Sequence, residues 1–250
     1  MDVIAWFTDP AHWSGFDGIP TRIAEHLVLC AAALLAATLI GLPIGLYIGH
    51  TGRAANLAIN IANIGRAIPS YAVLVMLLPI SLGLAPTLGY SPTIGLRIIP
   101  TFLAMALLAI PPILVNAYAG LQSVDRDLIE AGRGQGLREG QILRGIEIPL
   151  ASSVIVGGFR TAALQVIATA TIGAIVSYGG LGRYIIDGIA RNDLPRVVAG
   201  AVLVAGLAIA IDLALAGLQR LLTPRGLRRP TTRGFTELAE VPQPAAGGGV

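Results

Sequence analysis

The chain has 250 residues, 54% of them hydrophobic and 12% charged, with a formal net charge of +3. A soluble domain carries roughly 25% charged residues, so this composition excludes an ordinary soluble globule and points to a membrane protein. The single cysteine, Cys30, excludes a disulfide framework and a cysteine-rich metal site, and no basic patch is interleaved with aromatic residues as a nucleic-acid partner would require.

Residues 1–25 mix Trp6, Phe7, Trp13 and Phe16 with Pro10, Gly15 and Pro20, the profile of an interfacial segment whose rings sit at headgroup level. Asp2, Asp9 and Asp17 precede the first apolar run and no basic n-region appears, so the first span is expected to stay in the mature protein. No Asp, Glu or Arg occurs in residues 26–52, 67–96, 98–124 or 161–182. Each gap exceeds the roughly 20 residues needed to cross a bilayer. Span one is placed at 26–49, where Gly41, Pro43 and Gly45 favour a kink.

Residues 54–83 would be about 45 Å long if wholly helical, more than a bilayer core. The stretch is therefore expected to break at Arg66-Ala67-Ile68-Pro69-Ser70, because proline disfavours helix in the residue before it. A lead-in helix over 54–64 then precedes span two at 70–82. The total is five spans, or six if both pieces cross. Residues 84–97, with Pro86, Gly89, Pro92 and Gly95, read as a loop. Span three covers 98–118, span four runs from Pro149 to about Tyr178, a loop opened by Gly179-Gly180-Leu181-Gly182 reaches Arg196, and the last span is 197–222. The fold class is all-α, a polytopic helical membrane protein organised as 1–25, a membrane domain 26–222 with a polar loop 122–148, and a basic tail 223–250 too rich in Pro, Ala and Gly to bury a core.

The polar loop is a charged island: nine of the residues from Asp125 to Pro149 are Asp, Glu or Arg. Asp127 and Glu130 fit a capping pair for a helix of about two turns. Gly132, Gly134 and Gly136 should end and turn that helix, since each costs about 1 kcal/mol relative to Ala in a helix interior. Residues 138–145 supply a second short helix before Pro149, a good first-turn residue, opens span four. Four arginines in the island (Arg126, Arg133, Arg138, Arg144) and four in the tail (Arg225, Arg228, Arg229, Arg233) place both in the cytoplasm by the positive-inside rule. With five spans the N-terminus lies outside, and with six it lies inside. Asp187 and Asp193 accompany the arginines of the loop before the last span.

The stretch Glu130-Ala131-Gly132, Gly136, Ile146, Ile148-Pro149 resembles the EAA signature of ABC-importer permeases. That signature is a Glu-Ala-Ala start, a glycine four residues after the third position, and Ile-x-Leu-Pro after nine more. Gly132 for the second Ala and Ile148 for Leu are the departures, and Gly132 is expected to loosen the first helix. The resemblance covers roughly residues 20–222. Arg66 to Ser70 is similar to the family's Ile-Pro-Ser break, and Val124-Asp125, Gly158 to Ala163 and Gly179 to Gly182 look most like permeases of the osmoprotectant branch, which import glycine betaine, choline, carnitine or proline betaine. The resemblance implies a type I (MetI-like) permease fold with five core helices in a bacterial cytoplasmic membrane. It also implies a cytoplasmic ABC ATPase dimer docked on the island, a second permease subunit, identical or paralogous, and a separate extracytoplasmic substrate-binding protein.

The coupling residues carried over are Asp127, Glu130, Ala131, Gly132, Gly136, Ile146, Ile148 and Pro149. The chain lacks a Gly-x-x-x-x-Gly-Lys-Ser/Thr loop and has no Lys at all. It is thus expected to be non-catalytic and to bind no cofactor, with ATP and Mg used by the partner ATPase.

Within the spans, Thr161, Gln165 and Thr169 share a helix face and, with Pro69 and Ser70, are candidates for the passage or for helix contacts. Arg160 and Asp212 lie at similar depths, roughly 16 Å beyond Pro149 and 12 Å before Arg220. Either they pair, within or between subunits, or Arg160 snorkels and Asp212 meets water or backbone. Tyr71, Tyr118, Tyr178, Phe102 and Phe159 are the aromatic faces near the spans that a quaternary ammonium could meet. An intramembrane enzyme would need a nucleophile with a base or a metal set, yet His12, His26 and His50 lack ligand spacing and read as interfacial. Import of an amino acid such as methionine and a non-transport scaffold are the other readings.

Overall fold

The computed structural model describes residues 2–176 and 178–222. The basic tail expected at 223–250 lies outside the described residues. These are all-helical, without strand. In chain order come α1 (Val3–Thr8), a 3-10 turn (Pro10–His12), α2 (Ile19–Thr51), α3 (Ala55–Ala67), α4 (Ser70–Leu88), α5 (Pro92–Arg97) and α6 (Ile99–Gln122). Then follow α7 (Arg126–Gly134), α8 (Glu139–Ile142), a π turn (Leu143–Glu147), α9 (Ile148–Gly173), a 3-10 turn (Ala174–Val176), α10 (Gly182–Ala190) and α11 (Leu194–Leu222). Among the described residues, five helical stretches are long and apolar enough to cross a membrane: Ile19–Thr51, Ser70–Leu88, Pro92–Gln122, Glu139–Val176 and Leu194–Leu222.

The lead-in piece α3 has 13 residues, about 20 Å at 1.5 Å per residue, too short to span a core of ~30 Å. This removes the six-span alternative. The break falls where proline sterics demand it: Ile68 is extended (φ −81°, ψ 125°) between α3 and Pro69, the N-cap of α4.

The core is built around α6, with α2 on one side and α9 on the other. Leu29, Ala33, Ala37, Met105, Ala109, Ile113, Val166, Ile167 and Ala170 form its main buried cluster. Close approach depends on a ribbon of small residues along α2, where Ala33, Ala37, Gly41, Gly45 and Gly49 recur every fourth position and are all buried. A Cβ on Gly45 would lie 2.6 Å from the Leu114 carbonyl oxygen, and one on Gly49 would lie 2.9 Å from Leu121 Cβ. In a bilayer, where lipid is as apolar as leucine, such backbone proximity and its dispersion contacts hold helices together. Gly41 and Gly45, read from sequence as kink residues, are therefore packing residues, and α2 continues through Pro43.

Three other expectations change. Residues 84–97 are not a simple loop: α4 extends to Leu88 and α5 folds back on it, with the Ser81 hydroxyl donating to the Gly95 carbonyl at 2.6 Å and the Tyr90 hydroxyl donating to the Ser81 carbonyl. The connection before the last span contains α10, whose end at Gly188 to Asp193 is a Schellman turn with Asn192 at φ 54°. In the N-terminal segment Trp13 and Phe16 are exposed, but Trp6 is buried with Ile19, Leu181, Tyr184 and Ala199. Its ring stands edge-on to Tyr184 at 5.3 Å and stacks on His12 at 4.1 Å. Trp6 thus fastens α1 to the bundle. Two of the loop arginines pair with one carboxylate, Arg183 with Asp187 at 2.6 Å and Arg196 with Asp187 at 3.6 Å.

Candidate functional site

The charged island folds as a bracket at one end of the bundle. Its first helix starts two residues earlier than the Asp127 and Glu130 pairing implies: Asp125 is the N-cap and its carboxylate accepts from the Asp127 N–H at 3.0 Å. An acceptor two residues ahead reaches the first free N–H groups directly. Asp127 instead stands in the first turn, where a carboxylate favours the positive end of the helix dipole. The helix runs through Gly132 and stops at Gly134.

The stop is a Schellman motif: the Leu137 N–H donates to the Gly132 carbonyl at 3.1 Å and the Gly136 N–H to the Arg133 carbonyl at 2.9 Å. Gly136 sits at φ +80°, the left-handed conformation this motif needs, and space around it is open. Of the three glycines, only Gly136 makes the turn. Gly132 is buried, and a Cβ there would meet side-chain atoms alone: the flexible tip of Ile146 at 3.0 Å, then Leu137 Cδ1 at 3.5 Å and Ile142 Cγ1 at 3.6 Å. We expect Gly132→Ala to be neutral or to stabilise α7 by up to ~1 kcal/mol, with thermal unfolding of the purified chain as the check. A melting temperature several degrees lower would contradict this.

Beyond the turn, Arg138 precedes α8, and its N–H donates to the Gln141 side-chain oxygen at 2.8 Å. The expected separate helix over 138–145 does not stop before span four. The chain passes from α8 through the π turn, where the Ile148 N–H reaches back to the Leu143 carbonyl, straight into α9. Pro149 lacks an N–H and would crowd the preceding turn, and the wider π turn accommodates it. Asp127, Glu130, Ala131 and Gly136 are exposed together with Leu128, whereas Ile146, Ile148 and Pro149 are half-buried. On the underside, Ile129, Leu143 and Ile146 pack on Leu121, Val124 and Ala151. The bracket thus shows a polar surface on which Leu128 and Leu137 are exposed, and it stands on α6 and α9.

A polar chain joins the bracket to α2. Arg133 donates from Nε and Nη2 to the two carboxylate oxygens of Glu139 at 2.9 and 3.1 Å. His50 lies 3.4 Å from Glu139 and 2.5 Å from the buried carboxylate of Glu147. The Gln122 amide donates to the Gly49 carbonyl at 2.9 Å. A cavity of about 280 Å³ opens beside these groups, between Gly49 to Gly52 and Arg126, Glu130 and Arg133. Sequence reasoning missed the His50–Glu147 pair. The available signal was topological: both residues end their apolar segments on the same side.

The opposite end is closed by a clamp on Glu25. Its carboxylate accepts from Arg22 Nη1 at 2.8 Å and from the Gly180 N–H at 2.7 Å, and its carbonyl accepts from the Tyr178 hydroxyl at 2.9 Å. Asp17 takes the other end of the Arg22 guanidinium. Gly179 and Gly182 lie too close to the Glu25 carboxylate and the Thr171 carbonyl, respectively, for a Cβ, and Gly180 adopts φ +76° above His26. The glycine run is a built contact surface, not a plain loop. Burial pushes the Tyr178 phenol up to about 12, so its ring is neutral at all physiological pH. His26 is fully buried beneath Gly180, His12 stacks on Trp6 and His50 pairs with Glu147, so each is packed against protein groups. No group of metal-ligating residues occurs among the described residues.

In the membrane region the structure joins Arg160 and Asp212 within one chain. Nε and Nη2 of Arg160 donate to Oδ1 of Asp212 at 3.0 and 2.8 Å, and Nη2 also donates to Oδ2 at 2.9 Å. Nη1 donates to Gln219 at 2.9 Å, and the Gln219 amide donates to the Ser153 carbonyl at 2.8 Å. This network fastens α9 to α11. Along the face shared by Thr161, Gln165 and Thr169 burial increases: Thr161 is exposed, Gln165 half-buried and Thr169 buried. The Thr161 and Thr169 hydroxyls donate back to the Gly157 and Gln165 carbonyls in their own helix. Pro69 is exposed and Ser70 half-buried at the break.

Residues 41–227 match the family described as binding-protein-dependent transport system inner membrane component. The chain is 33% identical over 205 residues to the choline transport system permease protein OpuBB of Bacillus subtilis (strain 168), covering 82% of this chain and 88% of that one. It is 35% identical to the osmoprotectant import permease protein OsmW of Salmonella typhimurium over 91% of this chain and all of that one. It is 37% identical to the carnitine transport permease protein OpuCD of Listeria monocytogenes over 83% of this chain and 88% of that one. In fold it is similar to an inward-facing structure of the MetNI methionine ABC transporter, with a TM-score of 0.71, 23% identity, and 87% of this chain and 100% of that one covered. With five apolar helices, the bracket on its half-buried stem and this match, the chain belongs to the binding-protein-dependent transport system inner membrane components and is a multi-pass membrane protein.

Proposed function

We propose that this chain is the permease subunit of an ATP-driven importer and forms the translocation pathway for an osmoprotectant of the betaine, choline or carnitine type. The observation that carries the substrate class is identity of 33–37% over more than four fifths of the chain to permeases named for choline, carnitine and osmoprotectants. In this reading α7 and the Gly136 turn dock on a cytoplasmic ATPase dimer that uses ATP and Mg, while the chain itself binds no cofactor. A second permease subunit and a separate extracytoplasmic binding protein complete the complex. In the same reading, with five spans and α7 in the cytoplasm, the N-terminus and the Glu25 clamp lie outside and the end of α11 lies inside. Asp127, Glu130, Ala131 and Leu128 offer the docking face. Ile146, Ile148 and Pro149 transmit its movement, because the π turn makes α8 and α9 one continuous rod. Arg160 and Asp212 serve as a helix fastening, not as a lining of the passage.

The test is uptake of labelled glycine betaine, choline and methionine by the reconstituted complex with its loaded binding protein. Uptake of betaine or choline is expected, and methionine uptake without either would overturn the substrate class. In the same assay Gly136→Val should lower coupled uptake about tenfold or more with membrane insertion unchanged, because a β-branched residue is strained at φ +80° and fills the open docking side. Gly136→Asn, which tolerates that conformation, should retain most of it. Glu130→Ala should also impair coupling. Unaltered uptake in Gly136→Val and Glu130→Ala would end the docking assignment.

A further inference from the structure

At the Glu25 end, a cavity of about 220 Å³ is lined by Phe16, Glu25, Thr93, Arg97 and Tyr178 among others. It brings together segments far apart in sequence: the lead into α2, the helix α5, and the turn after α9. Ligand pockets for drug-sized molecules run to roughly 300–1,000 Å³, so this one suits a smaller guest. Its chemistry is specific, combining one carboxylate, one guanidinium and two aromatic rings around a single space.

We propose that this cavity is a receiving subsite for a small zwitterion, with Glu25, Phe16 and Tyr178 around its quaternary ammonium head and Arg97 at its carboxylate end. The proposal rests on the osmoprotectant reading above and adds the place where such a molecule enters the membrane subunit. A quaternary ammonium has no N–H to donate, so it is recognised by a fixed negative charge and by aromatic faces. Glu25 is held in one orientation by Arg22 and Gly180, yet its side chain keeps 27% exposure. The Tyr178 ring is fixed by its hydroxyl on the Glu25 carbonyl. Phe16 is 77% exposed, and the Arg22 guanidinium lies 5.6 Å from its ring centroid, so the ring already meets a cation. Because Arg22 shares the Glu25 charge, the subsite is weak, which suits a compound that must move on.

The experiment measures ligand binding by saturation-transfer NMR to the whole transporter complex in nanodiscs, without binding protein. The probes are glycine betaine, choline, and 3,3-dimethylbutanol, the uncharged isostere of choline. Glycine betaine and choline should bind and the isostere should not. Phe16→Ala, at an exposed position that does not endanger the fold, should weaken both ammonium compounds about fivefold, and Phe16→Trp should restore them. Arg97→Gln should weaken glycine betaine about tenfold and leave choline unchanged. Equal binding of the isostere, no effect of Phe16→Ala, or an equal loss of both compounds in Arg97→Gln would overturn the assignment. If these fail in a complex that still takes up labelled betaine through its binding protein, the subsite is wrong and the substrate reading stands. A complex that takes up neither betaine nor choline overturns both.

Discussion

Replacing Gly45 by leucine should destabilise the chain by about 3 kcal/mol or more, whereas the same change at Gly83 should cost little. Both glycines lie inside helices of the membrane domain. They differ in what surrounds them. A first side-chain carbon at Gly45 would stand 2.6 Å from the Leu114 carbonyl oxygen and 2.8 Å from Ala117 Cβ, while one at Gly83 meets nothing within 4 Å. Inserting atoms into a packed interior costs typically 1–3 kcal/mol, occasionally more. At Gly45 the obstacle is backbone, so α2 must move away from α6 along the whole ribbon from Ala33 to Gly49. The measurement is thermal unfolding of the purified permease in detergent together with its yield in the membrane. Matching melting temperatures for the two variants would refute the view that the α2–α6 contact organises the fold.

The second large effect concerns Arg160 and Asp212. Removing either partner leaves a charge in a low-dielectric setting, which for a buried pair costs 3–5 kcal/mol. Their side chains are 30% and 31% exposed, so about 2–4 kcal/mol is expected for Arg160→Leu or Asp212→Leu alone. The double variant should be less damaged than the worse single one, because no unpaired charge remains. A coupling of about 1.5–3 kcal/mol in the double-mutant cycle is the expected result, read from thermal unfolding and from complex assembly. Simple additivity would mean that the observed geometry contributes nothing. Gln219→Leu should show a smaller loss, since it removes one neutral partner of a charge that keeps its carboxylate.

Much of this molecule was legible without coordinates. Hydropathy located the five crossing stretches, and Pro69 located the break between α3 and α4, because both signals act within a few residues. The island was legible for the same reason: its charges cannot sit in lipid, and Gly136 stands where a helix must reverse. Details of one or two residues slipped, as with the cap at Asp125 instead of Asp127, since several short acidic side chains compete there. The loops were misjudged where tertiary contacts decide: α5 and α10 are short helices stabilised by Ser81, Tyr90 and Tyr184.

By itself, then, the sequence determined the class, a count of five or six crossings, the break at Ile68-Pro69 and the position of the charged bracket, while the length of α3 in the structure settled the count at five. These follow from free energies that add up residue by residue, the cost of charge in hydrocarbon and the local sterics of Pro and Gly. Only the tertiary structure decided that the α2 glycines are a packing ribbon and that Arg160 meets Asp212, 52 positions away, in its own chain. It alone also showed His50 on Glu147 across 97 positions and the Gly180 N–H on Glu25 across 155. Such contacts depend on the relative rotation and depth of whole helices, set by every side chain along both surfaces at once. The same dependence holds for the outer cavity, whose lining joins three segments that no local pattern connects.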